Sequence, residues 1–344
     1  MLENVDIVLG CSFGDEGKGK VVYDLLLNNN YDLCIRFNGS GNAGHTIYKN
    51  NQKLVLHQLP IGVLLSNVYN LISSDCLIDI SRLKNEINLL KSNGIDITGR
   101  LFISKACHII TPESIEYDKN NNLIGTTGSG IGPTFSLKML RTGKRVEQFS
   151  DEITSLGIQI VDMRKFWFSE FVQNNIKNIL LEGAQGFELD INWTNNYPFC
   201  TSSTCTLGGA INTGIPLHKI RDIYGITKAY DTYVGTLAFQ PHLFDEQLNK
   251  IGDLGQEYGS TTGRRRQINF LNLDSLIEAL KINNCNRCII NKIDILKEAN
   301  IYKLYYDGDL ISFDNVLEFQ AFIANKLQFL ANTPIFSFSP FSIL

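Results

Sequence analysis

The sequence has no run of about 18 apolar residues from which a membrane helix could be built, and it does not open with a cationic segment running into an apolar core. Neither membrane insertion nor secretion is expected, and the cytoplasm is the expected location. Positive charge is also scarce: 31 Lys and Arg stand against 35 Asp and Glu, a net charge of -4. A chain without a basic stripe has no general attraction for nucleic acid or anionic lipid, so any anion must be held by a local site. No disulfide framework is visible either, although there are eight cysteines (Cys11, Cys34, Cys76, Cys107, Cys200, Cys205, Cys285 and Cys288). They sit in mostly apolar contexts, as reduced core thiols do. Cys285 and Cys288 form a lone CxxC with no second pair and no nearby His cluster, which argues against zinc or redox chemistry there.

What is present is a 344-residue chain of ordinary composition, 44% hydrophobic and 19% charged, long enough for one large domain or two moderate ones. Apolar runs at 5–9, 33–37, 101–104, 179–182, 223–228, 288–291 and 335–337 read as strands. Periodicity predicts helices over 18–27, 81–92, 162–176, 273–282 and 315–330, with a hairpin turn at Asp307-Gly308. This alternation predicts an α/β fold, a mainly parallel central sheet flanked by helices with ligands at the carboxyl ends of its strands. GTTGSGIGP at 125–133 and GQEYGSTTGRRR at 255–266 break the rhythm and are expected to be irregular functional loops.

The segment IVLGCSFGDEGKGK, Ile7 to Lys20, runs from a strand into glycines and a lysine as a phosphate loop does, yet its spacing is not G-x-x-x-x-G-K-[ST]. Gly19 stands where a Ser or Thr would hold magnesium, and Asp15-Glu16 puts carboxylates inside the loop. Glycines let backbone N–H groups face a phosphate, and Lys18 would add a point charge. A solvated Gly-rich turn is the alternative for the loop alone. Asp15 is the unusual part, because a carboxylate beside polyphosphate is repelled unless a metal bridges the two or it has a proton to remove.

Further candidates lie downstream. NGSGNAGHT at 38–46 follows a strand directly and puts His45 at the carboxyl edge of the sheet, as a catalytic or ligand-binding residue. Asn291-Lys292-Ile293-Asp294 ends an apolar strand, where an Asp can accept two hydrogen bonds from guanine; a strand-end cap is the bland alternative. TTGRRR at 261–266 could hold a dicarboxylate bidentately or be a solvated face. Arg141 and Arg145 are another anion candidate, while LEGAQG at 181–186 and Thr201 to Thr204 could be turn chemistry alone.

Taken together, these segments resemble the adenylosuccinate synthetases, which join IMP to aspartate at the expense of GTP. The matches run in order: GDEGKGK at 14–20, NAGHT at 42–46, GTTG-GIGP at 125–133, RTGKR at 141–145, EGAQG at 182–186, YP-TSS at 197–203, GSTTGRRR at 259–266 and NKID at 291–294. The resemblance implies a P-loop NTPase-like α/β fold with irregular active-site loops, one domain over residues 1–344, and a homodimer.

By the same matching, Asp15 would take the N1 proton of IMP and, with the carbonyl of Gly44, help hold Mg2+. His45 would act as general acid, Lys18 would neutralise the transferring phosphoryl group, and Gln185 would join the catalytic set. GTP would be met by Gly14, Asp15, Glu16, Gly17, Lys18, Gly19, Lys20, Gly44, His45, Thr46 and Arg266. Its base would be read by Lys292, Ile293 and Asp294 and covered by Ser337, Phe338 and Ser339. IMP would be held by Asp15, Lys18, Asn42, Ala43, Gly44, His45, Thr127, Gln185, Thr201 and Arg264, with Arg141 reaching across from the partner subunit. Aspartate would sit on Ser260, Thr261, Thr262, Gly263, Arg264, Arg265 and Arg266.

Three positions depart from the pattern: Ser129 replaces an arginine, Asn192 an aspartate, and Phe338-Ser339 a small-glycine pair. The chain is also shorter than typical bacterial members, as compact members of the family are. A related phage-type enzyme acts on dGMP and carries a smaller residue in place of the aspartate, so Asp15 points to IMP, with GMP or dGMP as the alternative purine. A regulatory GTPase would need a hydroxyl where Gly19 stands.

Overall fold

The computed structural model describes residues 2–49, 52–121, 124–241, 245–259 and 263–343. A ten-stranded sheet runs, edge to edge, Ile335–Phe336, Arg287–Asn291, Ile220–Lys228, Asn4–Gly10, Asn178–Glu182, Leu33–Gly39, Tyr69–Ile78, Leu101–Ser104 and Gln159–Val161, with His108–Ile109 pairing the far end of Tyr69–Ile78. Every pairing in it is parallel. The central strand is apolar along its length because both faces are covered, as expected of a parallel sheet. Its one charge, Asp6, is fully buried and satisfied by Tyr31 Oη, the Asp222 N–H at 3.0 Å and the Arg221 guanidinium.

Most of the predicted elements are present, within four residues at each end. The helix expected over 162–176 is two, Met163–Phe166 and Glu170–Asn175. Asp162 caps the first by accepting from Arg164 N, and Ser169 caps the second by accepting from Val172 N, so the polar residue inside the periodic run starts a new helix instead of continuing one. The irregular loop expected at 125–133 ends at Gly130, and Ile131, Gly132 and Pro133 form the first turn of the helix Ile131–Leu140. Pro133 is tolerated there because first-turn N–H groups have no intrahelical acceptor. A four-stranded sheet, Tyr230–Tyr233, Gln267–Asn272, Lys303–Tyr306 and Asp309–Ser312, packs beside the main one, and its hairpin turns on Asp307 and Gly308, both at positive φ. No helix of the described residues is long and apolar enough to cross a membrane.

The central strand Asn4–Gly10 is where the chain order divides. Strands 33–39, 69–78, 101–104 and 159–161 lie on one side with 178–182, and strands 220–228, 287–291 and 335–336 on the other. Such a division leaves a crevice at the carboxyl ends of the middle strands. The loops after Gly10, Gly39, Glu182, Lys228 and Asn291 all emerge there.

Candidate active site

The loop after the central strand turns its two adjacent carboxylates in opposite directions. Glu16 folds inward, where its Oε1 accepts from the N–H groups of Ser12 (3.0 Å) and Gly14 (2.8 Å) and its Oε2 meets Lys18 Nζ at 2.6 Å. Lys18 also donates to Gly14 O at 3.0 Å, and both side chains are almost fully buried. Asn291 Nδ2 donates to Glu16 O at 2.7 Å, tying the loop to the strand that carries the NKID segment. Gly17, at φ 84°, turns the chain into the helix Lys18–Asn28. Gly19 has a different reason to be glycine: a Cβ there would lie 2.9 Å from Cβ of His45. The hydroxyl residue of an ordinary phosphate loop is thus excluded by a second loop packed on the helix.

Asp15 turns outward. Arg266 grips it with Nε at 2.8 Å from Oδ2 and Nη2 at 3.0 Å from Oδ1. The other face of the guanidinium meets Glu257, which also pairs with Lys228 Nζ (3.3 Å) and accepts from Tyr230 Oη (2.6 Å). Four charges thus alternate in sign. Burial pushes the Asp15 carboxyl above its usual range, with Arg266 and Lys228 pulling the other way. Burial acts upward on Glu257 too, but Lys228, Arg266 and Lys292 outweigh it and hold it at about 2.

His45 opens the short strand His45–Lys49, against the start of that helix. Its Nδ1 bonds Glu182 Oε1, and Arg36 Nη1 lies 2.6 Å from the same oxygen and 2.8 Å from the ring nitrogen. Glu182 Oε2 accepts from Ile61 N at 2.8 Å. Burial and the neighbouring Arg36 push the His45 imidazole down to about 4 against the pull of Glu182. Burial would raise Glu182, but His45, Arg36 and the Ile61 N–H outweigh it and hold it at about 2. The neutral ring thus has Nδ1 between the Glu182 carboxylate and the Arg36 guanidinium.

A cavity of about 280 Å³ opens against these groups. Gly14, Asp15, Asn42, Ala43, Gly44, His45, Thr127, Gln185, Thr201 and Arg264 all line it. Gln185 adopts φ 54°, uncommon outside glycine. Its Nε2 donates to Asn42 Oδ1 at 3.3 Å, while its buried Oε1 has no donor among the described residues. A strained residue with an unsatisfied acceptor at a cavity wall is a mark of a ligand site.

The chain matches the family model described as adenylosuccinate synthetase over residues 7–171 and 158–310. An adenylosuccinate synthetase of Parabacteroides distasonis is 39% identical over 87% of this chain and 80% of its own length. One from Phocaeicola vulgatus is 37% identical over the same shares. The chain belongs to the adenylosuccinate synthetase family. The structure of a fully ligated adenylosuccinate synthetase from Plasmodium falciparum superposes with a TM-score of 0.84, covering 98% of each chain at 27% identity. A cyanophage S-2L succinoaminodeoxyadenylate synthetase shares the fold, with a TM-score of 0.73 at 22% identity, covering 94% of this chain and 99% of its own.

The other expected residues of this family member fall into three places. On the far side of the phosphate loop, Lys292 (φ 68°) caps the helix Ile293–Ala299, which carries Asp294 in its first turn, and donates Nζ to Gly255 O at 3.1 Å. Lys20 donates to Ser337 Oγ and Ser339 O, both at 2.8 Å, holding the segment with Phe338 beside them. Burial lowers the Lys20 ammonium to about 8, with Asp294 pulling it back. Thr46 lies on the short strand, opposite Val55. Arg141 ends the helix Ile131–Leu140 at φ 64°, exposed and away from the cavity lining.

The three arginines of TTGRRR diverge. Arg264 donates to Gly125 O and Thr126 O across the cavity mouth, Arg265 pairs with Asp253, and Arg266 turns inward to Asp15 and Glu257. Gly263 has φ 65°, and Ser260, Thr261 and Thr262 lie outside the described residues. Motif reading left Arg36, Lys228 and Tyr230 unnamed, and held Glu182 and Glu257 only inside the segments EGAQG and GQEYGSTTGRRR, with no role. Arg36 and Glu182 each stand as the single charge of an apolar strand, and Lys228 is a buried charge at the carboxyl end of the apolar run 223–228, which is the signal that could have found them.

Proposed function

We propose that the chain, acting as one unit over residues 1–344, joins L-aspartate to IMP with hydrolysis of GTP, through 6-phosphoryl-IMP. The observation that carries the reading is a carboxylate, Asp15, held by burial above its usual range on the wall that a phosphate-type loop, His45 and Gln185 share.

In this reading Asp15 removes the N1 proton of IMP. The electron pair passes to O6, which attacks the γ-phosphorus, and the bond to the β–γ bridging oxygen breaks to release GDP. The amine of aspartate then adds at C6, the C6–O bond breaks, and phosphate leaves as the nitrogen loses its proton. Arg266 must release Asp15 for the first step, and an incoming phosphate offers it a stronger partner. His45 stabilises charge on the departing phosphoryl group: negative charge near the ring opposes the effect of Arg36 and favours the protonated form. Lys18 exchanges Glu16 for phosphate.

Gln185, Asn42, Ala43, Gly44, Thr127, Thr201 and Arg264 hold IMP, residues 260–266 hold aspartate, and Lys292, Ile293 and Asp294 read guanine beneath Ser337 to Ser339. The Asp15 carboxylate and the Gly44 carbonyl border one cavity and are hard oxygen donors of the kind Mg2+ takes alongside phosphate oxygens. Bound there, the ion would neutralise charge on the phosphates. Arg141 would serve the site of a partner in a homodimer, and a cytoplasmic location suits these substrates.

Phosphate release assayed with GTP, aspartate and each of IMP, GMP and dGMP tests the reading. Turnover that requires IMP and aspartate together is expected. Turnover with GMP or dGMP and none with IMP would reassign the purine, and release without aspartate would refute ligation.

A further inference from the structure

A second cavity, of about 430 Å³, lies behind the phosphate loop, between the main sheet and the four-stranded sheet. None of its described lining residues is Lys, Arg or His. Two carboxylates, Glu188 and Asp231, face it together with the carboxamides of Asn195, Asn196, Asn269 and Asn272. Asp231 is partly satisfied: Ser12 Oγ donates to one oxygen and Asn272 N to the other at 2.9 Å. Glu188 is not. It is only 8% exposed, and among the described residues no donor or cation reaches its carboxylate. Lys228, the cation that acts on Asp231, is already committed to Glu257 and Thr232.

A buried carboxylate without donors is costly, and the cost falls when a ligand brings N–H groups and positive charge. Phosphates and dicarboxylates are excluded by the sign of the wall, so this is not another substrate pocket. Between the polar groups the wall is apolar, with Phe13 and Phe239 edge to face at 4.8 Å and Leu276 beyond them. We infer that this cavity is a binding site for a small aliphatic diammonium ion, with Glu188 and Asp231 taking its charged ends and the aromatic wall its methylene chain. Burial and the nearby Asp231 and Glu278 hold Glu188 up at about 7, as expected of an acid that lacks its counter-ion. The site touches the phosphate loop directly, since Ser12 bonds Asp231 through its hydroxyl and Glu16 through its N–H.

Titration calorimetry of the full chain with 1,4-diaminobutane, at pH 8 and constant ionic strength, tests this. Expected are saturable binding of one diamine per chain, at least tenfold weaker binding to Glu188→Gln, and no competition from IMP. Absence of saturable binding to the unmodified protein overturns the inference, whatever the variant does. Equal affinity in Glu188→Gln overturns it too, as does competition by IMP, which would place the diamine in the catalytic cleft. Should Glu188→Gln not fold, displacement of the diamine from unmodified protein by ethylammonium but not by succinate is the expected sign; displacement by succinate refutes a cation site.

Discussion

Asp15 and Glu16 are adjacent in sequence and opposite in role. Glu16 occupies loop N–H groups of the kind that meet phosphate and neutralises Lys18, so the loop holds its own charges in check. Asp15 faces the cavity. Replacing it by Asn keeps the shape and an acceptor for Arg266 but cannot take a proton. Asp15→Asn is therefore expected to lower kcat about 10²–10⁴-fold, the usual reach of general base catalysis, with IMP still bound in calorimetry; an unchanged kcat would remove Asp15 from the proton transfer. Glu188 gives a prediction of a different kind. Its carboxyl, at about 7 in the folded protein against a usual 4.5, keeps a proton that the unfolded chain gives up. The stability this contributes is complete below the lower value and is lost as pH rises through the upper one. Glu188→Gln stays neutral throughout, so its stability advantage over the unmodified protein should open between about pH 4.5 and 7 and then level off, at on the order of 3 kcal/mol. Calorimetric melts across that range check it, and a difference independent of pH would contradict it.

At the scale of elements, the helix Lys18–Asn28 is placed by what its first turn lacks. The absent side chain at Gly19 lets the strand that opens with His45 lie against it. Gly19→Ser would restore the hydroxyl of an ordinary phosphate loop and yet is expected to lower kcat by about 10²-fold, because displacing a reacting group by about 1 Å costs that much. Steady-state kinetics alongside a thermal melt separates this from misfolding: a normal Tm with normal kcat would show that the close approach is idle. The same helix shows what sequence reading reaches. Its bounds, those of strands 101–104 and 178–182, and the helix 273–282 were legible because apolar periodicity and end signals agree there. The strand Tyr69–Ile78 was not, since Ser73, Ser74 and Asp75 interrupt its apolar run where a register irregularity lies opposite in the neighbouring strand. Of the four-stranded sheet only the hairpin at Asp307-Gly308 was legible; its pairing with Gln267–Asn272, and of that strand with Tyr230–Tyr233, was hidden because those partners lie far apart in sequence. Motif residues of the site could be named from their order, but Glu257 and Lys228 act through a charge network that only the folded chain assembles.

At the scale of the whole molecule, a chain of net charge -4 that must gather anionic substrates relies on where its few cations stand. Lys18, Arg264 and Arg266 lie around the first cavity, while Arg141 ends a helix whose last residues, Met139 (68% exposed) and Leu140 (67%), are apolar and open to solvent. In the homodimer proposed above, an arginine set in an apolar patch away from its own cavity would serve another copy. In a two-fold dimer each site would combine Asp15 of one chain with Arg141 of the other. Arg141→Leu and Asp15→Ala proteins, each inactive alone, would then complement: random exchange makes half the dimers mixed, each with one intact site, giving about a quarter of the unmodified activity. Mixing the two after brief dissociation and assaying phosphate release measures this directly. Activity that stays at the level of the separate variants, in dimers shown to have exchanged by mass spectrometry, would mean that each chain carries its own complete site.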